Sequence, residues 1–445
     1  MMMVNFFDNT SIKRNLAALA KVTSIWLGSI LASGLTFLSQ VLFARALGPA
    51  DLGELTSSLS IAGFLITVST LGIAQFWLRI FAQEGSIAKR WLTISFKLVG
   101  ISSIITIALF FLINFALLDN KPETIILVVL LSFYIFGQIA FELTSAKFQL
   151  EGRYFVLSFW QMTPHLMRFL LIVLVSTFFF VNLPAVGVIY AMEGLAVLLI
   201  AVVEFNKLLK GQFILANQSP TDKTGLSNPY SSEKPTIVQL LHNALPFGLV
   251  GLFFTIFNSS AIVLIRMMLN SYEAGLFSVA FIFISGANLF PFAVYQKFLL
   301  PKVQSWAYHD QQKFSLVFKY GEIIMFLCGC IFVLVIWLTS NWLIPNLFGV
   351  GFVKSVQVLQ LLSLSIPFFF VANNAGVVLA TKDNINLKAR ILMGSALSSV
   401  LFCVIGIKIA GVEGAAIGYF AANLVYCFMY AFYARKIVNK ELSKK

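Results

Sequence analysis

The chain has 445 residues, of which 59% are hydrophobic, 15% aromatic and only 11% charged, and its mean hydropathy is +0.90. That composition excludes a soluble globular protein and requires an integral membrane protein. A net charge of +13 would suggest nucleic acid in a soluble chain, but here its meaning depends on where the cations fall relative to the bilayer, and no nucleic-acid partner is expected.

A hydrocarbon core about 30 Å thick takes roughly 20 apolar residues per helix. The sequence supplies about twelve such runs, near 22–43, 55–77, 95–117, 123–143, 155–179, 184–206, 244–265, 274–296, 319–338, 356–379, 391–409 and 413–433. They are continuously apolar rather than alternating, which predicts helices and excludes a β-barrel. Lys13, Arg14 and Lys21 precede a long first run with no small-residue cleavage site behind a short apolar core, so that run is expected to be retained. Of the 31 lysines and arginines, 25 fall in alternate connections beginning with the N-terminus. Five fall on the opposite side (Arg45, Lys121, Arg266, Lys354 and Lys408), and Arg168 lies within a run. This alternation predicts twelve spans with both ends cytoplasmic.

The one long hydrophilic segment, Gly211 to Pro235, is rich in Ser, Pro, Asn and Lys and separates six runs from six. The expected organisation is a cytoplasmic N-terminus (1–21), a six-helix bundle (22–206), a cytoplasmic linker (207–239), a second six-helix bundle (240–433) and a basic tail (434–445). The halves repeat: "LGPADLGELTSS" after the first run matches "LNSYEAGLFSVA" after the seventh at an offset of 222 residues. Leu47 pairs with Leu269, Asp51 with Glu273, Gly53 with Gly275 and Thr56 with Ser278. At the same offset Ser29, Ser33 and Thr36 meet Gly251, Thr255 and Asn258, so both lead helices carry a small, polar stripe. Parallel repeats with an even number of spans predict two bundles related by an axis along the membrane normal, with a cleft between them. Cys328, Cys330, Cys403 and Cys427 all lie in apolar runs and read as packing residues, not as disulfides or zinc ligands.

The stretch "ARALGPADLGELTSSLSIAGFLITVSTLGIAQFWLR" (44–79) resembles the first-loop and second-helix signature of polysaccharide-biosynthesis membrane proteins, the Wzx-type O-antigen flippases of the multidrug/oligosaccharidyl-lipid/polysaccharide (MOP) exporter superfamily. "LPFGLVGLFFTIFNSSAIVLIRMML", "AGLFSVA", "LLPKVQSWA", "GVGFVKSVQVLQLLSLSIPFF" and "KIAGVEGAAIGYFAANLVY" extend the likeness over nearly the whole chain. The resemblance implies an all-α, two-lobed, alternating-access transporter in the bacterial inner membrane. It also implies a cargo, undecaprenyl-diphosphate-linked oligosaccharide carried to the outer leaflet, with membrane lipids and other polysaccharide-assembly membrane proteins as partners.

Ionisable residues inside apolar runs are candidates for function because an unpaired charge in hydrocarbon is costly. Ser158, Gln161, His165 and Arg168 share roughly 80° of one helix face, and Tyr134, Gln138 and Glu142 line another. Arg168 and Glu193 lie at similar depth on consecutive runs, so an ion pair inside a watered cavity is expected. Two readings stand: Arg168, helped by His165 and Gln161, attracts the carrier diphosphate, or the Arg168–Glu193 pair stitches two helices together. Their counterparts in the second half are Ser395 and Phe420, an asymmetry that favours chemistry over architecture. Gln40, Asn258, Asn288, Asn373 and Asn374 can bond sugar hydroxyls or neighbouring helices. Arg79, at an inner end, can capture substrate or anchor at the headgroups. Arg45 and Arg266, at outer ends, can release diphosphate or anchor likewise. Glu193 and Glu142 are the candidates for coupling or ion pairing, with Lys147 near Glu142.

No G-x-x-x-x-G-K-[ST] motif occurs, so a gradient or the membrane potential is the expected energy source, and neither a cofactor nor a metal is expected. A drug or cation antiporter of the same superfamily is the rival transporter reading; it would favour carboxylate sites over a deep arginine. A membrane polymerase or ligase would need an external loop with acid, base or diphosphate-binding groups, yet the longest external segment offers only Lys354.

Overall fold

In the computed structural model the described residues are 9–117, 121–213, 215, 235–292, 294, 311–379 and 385–442. Most of the expected linker lies outside them, as do Lys297, Lys302 and Lys382 of the charge pattern. Among the described residues no strand occurs. The helices are α1 (Asn9–Thr70), α2 (Ile73–Glu84), α3 (Arg90–Leu117), α4 (Pro122–Leu150), α5 (Tyr154–Phe178) and α6 (Leu183–Leu209), then α7 (Ile237–Met268), α8 (Ser271–Pro291), α9 (Gln311–Phe348), α10 (Ser355–Ser363), α11 (Ile366–Leu379) and α12 (Ile385–Leu442). Eight continuous stretches of the described residues are long and apolar enough to cross a bilayer, or nine if α10 and α11, bent by 42°, count as one.

The stretches are fewer than the apolar runs because two of them fold back on themselves. In α1 the backbone turns at Gly48, whose φ of 73° is a left-handed conformation that favours glycine. Ser33 to Gln40 before the turn and Thr56 to Gly63 after it line the same cavity, so the two arms of α1 run side by side. In α12 the turn is at Ala410–Gly411, and Gly406 and Gly414 then meet backbone to backbone.

The second arm of α1 breaks at Leu71 and Gly72, with φ of 48° and 73°, and continues as α2. Its partners on α3 run in opposite order. Thr106 Oγ1 donates to the Leu65 carbonyl, Ser102 Oγ to Ser69, Trp77 Nε1 to Ser95 Oγ, and Arg90 pairs with Glu84. The arm and α2 thus form one broken rod antiparallel to α3.

Helix ends extend past the hydropathy limits. α1 begins at Asn9 and α12 runs to Leu442, because hydropathy marks the hydrocarbon while backbone hydrogen bonding continues into the interface. α7 starts at a capping box in which Thr236 and Gln239 satisfy each other's backbone N–H groups.

The two halves pack through the repeat noticed in the sequence. A Cβ built on Gly53 would stand 1.8 Å from the Ser271 carbonyl oxygen, and one on Gly275 would stand 1.9 Å from that of Pro49. Ser271 is Pro49 advanced by 222 residues, and Gly275 is Gly53 advanced by the same amount. One contact is therefore made twice with the lobes exchanged, as at a two-fold axis. Glycine is required here because only a missing side chain lets the backbones approach this closely.

Gly53→Ala and Gly275→Ala should each destabilise the lobe contact by about 1–3 kcal/mol through overpacking, and by similar amounts because the sites are symmetric. Thermal unfolding of the purified protein in detergent measures this. Gly34→Ala, where an added methyl meets nothing within 4 Å, should leave the midpoint in place.

Candidate functional site

A cavity of about 400 Å³ lies between the lobes, within the range of small-molecule pockets. The first arm of α1 contributes Ser33, Thr36, Phe37 and Gln40, and the second contributes Thr56, Leu59, Ser60 and Gly63. From the other lobe come Thr255, Ser259 and Ile262 of α7, and Ser278, Phe281, Ile282, Ser285, Gly286 and Leu289 of α8. Seven of the first eight recur at the 222-residue offset: Ser33 with Thr255, Phe37 with Ser259, Gln40 with Ile262, Thr56 with Ser278, Leu59 with Phe281, Ser60 with Ile282 and Gly63 with Ser285. The cavity therefore lies on the pseudo-two-fold axis.

Its polarity comes without charge. Nine lining residues carry a hydroxyl or amide and none is ionisable. Several hydroxyls donate to the carbonyl one turn back, Ser33 to Ser29, Thr36 to Ala32, Ser60 to Thr56 and Thr255 to Gly251. That back-bonding makes such groups tolerable on a helix inside a membrane.

Arg168 does not line this cavity. Its guanidinium grips Glu193 with two bonds, Nε to Oε2 and Nη2 to Oε1, both 2.8 Å. Arg168 is 5% exposed and Glu193 is fully buried. The Arg168 Cζ also lies 4.5 Å from the Tyr190 ring centroid and 5.9 Å from that of Tyr134, a favourable position for a cation. Gln138 Nε2 reaches Glu193 Oε1 at 3.4 Å. The expected ion pair is present, but the watered cavity expected around it is not where the open space lies. An arginine enclosed by a carboxylate and two aromatic rings has its charge already balanced.

The layer reaches the cavity at two points. Thr36 Oγ1 and His165 Nδ1 are 2.8 Å apart, and since the Thr36 hydroxyl donates to Ala32, the consistent tautomer puts the proton on Nδ1. Gln40 lies within side-chain hydrogen-bonding reach of Tyr190. Of the proposed binding residues, the structure puts Gln40 in the lining and His165 directly behind it. Gln161 is half-buried on α5 outside the lining. Asn258 bonds its own helix at the Phe254 carbonyl, and Asn374 bonds across helices to the Phe318 carbonyl. Arg79 is exposed on α2 with its Cζ 5.9 Å from the Phe247 ring of the other lobe.

Glu142 hydrogen-bonds Thr70, beside the break at Leu71. The expected partner, Lys147, is turned elsewhere: buried, it pairs with Glu151 at 2.9 Å and with Glu204. Arg266, expected at the outer boundary, is buried and holds Glu54 through Nη2 to Oε1 at 2.5 Å and Nε to Oε2 at 3.3 Å. This ion pair joins the lobes one residue from Gly53. Sequence reasoning missed Glu54 because the second apolar run was taken to begin at residue 55; two opposite charges at the same outer boundary were the available signal. Arg45 donates to the Leu347 carbonyl at 2.7 Å and to that of Asn346.

These features define a two-lobed, multi-pass membrane protein with an uncharged cavity, lined by hydroxyl and apolar side chains, on its internal symmetry axis. The profile of the polysaccharide biosynthesis protein family matches residues 18–301, and the chain belongs to that family. No curated protein matches it in sequence. Among solved structures, lipid II flippase MurJ in an inward closed conformation is similar with a TM-score of 0.69 at 14% identity, over 94% of this chain and 89% of that one. An inward-facing multidrug resistance MATE family transporter of the MOP superfamily follows at 0.61 and 15%, over 99% and 97%. A MOP superfamily transporter from Pyrococcus furiosus, described as having a binding pocket of reverse polarity, gives 0.57 and 16%, over 96% of each chain. The chain shares the fold of these structures.

Arg168→Ala should destabilise the protein by about 3–5 kcal/mol, because it leaves Glu193 buried and uncompensated. Removing both charges in Arg168→Ala/Glu193→Ala should cost less than the single change. Unfolding midpoints of the three proteins test this, and equal midpoints for wild type and Arg168→Ala would remove the structural role of the pair.

Proposed function

We propose that the chain is a flippase that carries a saccharide linked to undecaprenyl diphosphate from the cytoplasmic to the outer leaflet of the bacterial inner membrane, by alternating access between its lobes. The observation that carries this reading is the uncharged, hydroxyl-lined cavity on the symmetry axis of a chain belonging to a polysaccharide biosynthesis family. Hydroxyl and amide groups match the hydrogen-bonding groups of sugars, and a site shared equally by two lobes changes its exposure when they rock about it.

Gln40 and the lining hydroxyls hold the sugar residues, while the prenyl tail stays in lipid. Arg79, beside Phe247 at the inner junction of the lobes, attracts the diphosphate. Asn258, next to the lining residue Ser259, joins the sugar contacts as the cavity changes shape. His165, with Gln161 one turn away, positions Thr36, and the Arg168–Glu193 pair fixes Tyr190 and through it Gln40. Moving two negative charges outward across an inside-negative 100 mV is favoured by roughly 4–5 kcal/mol, so the potential suffices as a driving force. Other membrane proteins of polysaccharide assembly supply and consume the cargo. The antiporter reading has less support, because no carboxylate lines the cavity among the described residues.

The test is translocation of a lipid-diphosphate-linked glycan in proteoliposomes. Gly63→Trp fills the cavity and should lower the rate at least about tenfold, a barrier increase of some 1.4 kcal/mol, whereas lipid-facing Gly34→Trp should retain it. Wild-type rates for Gly63→Trp would sink the central-cavity route. Arg79→Ala should raise the half-saturating substrate concentration more than it lowers the maximal rate.

A further inference from the structure

We infer that the cavity selects uncharged sugars and rejects acidic ones, an inference that rests on the flippase reading and names its cargo class. The first ground is the absence of a cation in the described lining. The arginines that could have supplied one are committed to carboxylates, Arg168 to Glu193 and Arg266 to Glu54.

The second ground is which end of each hydrogen bond the cavity presents. A hydroxyl has one proton and two lone pairs. Those of Ser33, Thr36, Ser60 and Thr255 spend the proton on a carbonyl of their own helix at 2.8–2.9 Å, as do Thr56 toward Leu52 and Ser278 toward Gly275. What they turn outward is lone pairs. The cavity is thus a cup with more acceptors than donors, and an acceptor left unmet is costly.

A neutral sugar answers this cup, because every hydroxyl it brings carries a proton to donate. A uronic or sialic acid brings an ionised carboxylate, which only accepts, into a described lining with no cation, where six of the eight hydroxyls have already given their proton to their own helix. Such a charge would be desolvated with too few donors to meet it, a costly outcome for a buried ion. By the same reasoning the carrier diphosphate lies outside the cup while the sugars occupy it.

The experiment compares two lipid-diphosphate disaccharides that differ only in a hexose or a hexuronic acid at the distal position. Translocation is measured in proteoliposomes. In parallel, protection of a Ser60→Cys thiol from an uncharged maleimide is measured in a background with the four native cysteines replaced. The neutral substrate should move at least about tenfold faster and should alone protect the thiol. Ser60→Lys should narrow or invert that preference. Equal translocation, or equal protection, by the acidic substrate overturns the selectivity and leaves the flippase reading standing. Protection by the neutral glycan alone, with neither substrate translocated, removes the flippase reading and keeps the selectivity. No protection by either glycan overturns the selectivity as well.

Discussion

Everything about the cavity depends on the close approach of two backbones at Gly53 and Gly275. With carbonyl oxygens lying where a Cβ would have to sit, the lobes are in contact along their main chains, and nothing can pass at that level. The contact lies about one helical turn from the lining residues Thr56 and Ser278, and it sets the register of the two lobes. Next to it, Glu54 and Arg266 form a buried pair. Such a pair is close to neutral in stability compared with apolar packing, but it becomes strongly unfavourable when one partner is left alone. It therefore enforces correct apposition of the lobes more than it adds stability.

The first lobe also carries, in Arg168 and Glu193, a buried pair whose equivalent positions in the other lobe are uncharged. Where Arg168 and Glu193 stand, the second half has Ser395, back-bonded to Ile391, and Phe420, whose ring lies 5.8 Å from Phe368. The polar layer behind the cavity, from Gln138 through Glu193 and Arg168 to Tyr190 and Gln40, is thus one-sided while the cavity is two-sided. A symmetric cup backed by an asymmetric network lets one lobe be held rigid while the other adapts to its cargo. The enclosed guanidinium serves that rigidity, because every direction in which it could move costs a hydrogen bond or an aromatic contact.

The sequence was legible where the physics is periodic or repeated. Continuous apolar runs gave helices, and the 222-residue offset paired Gly53 with Gly275, the two glycines that make the lobe contact. The same offset contained most of the cavity lining, since the polar stripe of Ser33 and Thr255 was visible on both lead helices. What could not be read was which buried charges meet. Arg168 with Glu193 followed from depth alone, but whether that pair faced a cavity or a wall depended on helix rotation, which hydropathy leaves undetermined. Glu54 was lost because a charge at the edge of an apolar run looks like loop. Lys147 was assigned to Glu142 by proximity in sequence, although Glu204 on a neighbouring helix was the nearer partner in space.

Under the proposed alternating access, the backbone breaks are the places where the lobes would bend. The second arm of α1 breaks at Leu71–Gly72, and this break lies against Phe247–Gly248, just after Pro246 of α7. A left-handed pair in one lobe thus touches a proline-bearing turn in the other, and neither needs to break a regular helical hydrogen bond to bend further. At the opposite end of the cavity, Gly53, Gly275, Glu54 and Arg266 sit within one turn of each other and must part together. Separation there replaces two main-chain contacts and a buried ion pair with water, which solvates both charges. Under the proposed alternating access the lobes would favour the apposed or the hydrated arrangement over one between, because a half-separated pair has lost its partner without gaining solvent. An interface of that kind would switch instead of drifting, as a carrier needs if its cavity is never to open on both sides at once.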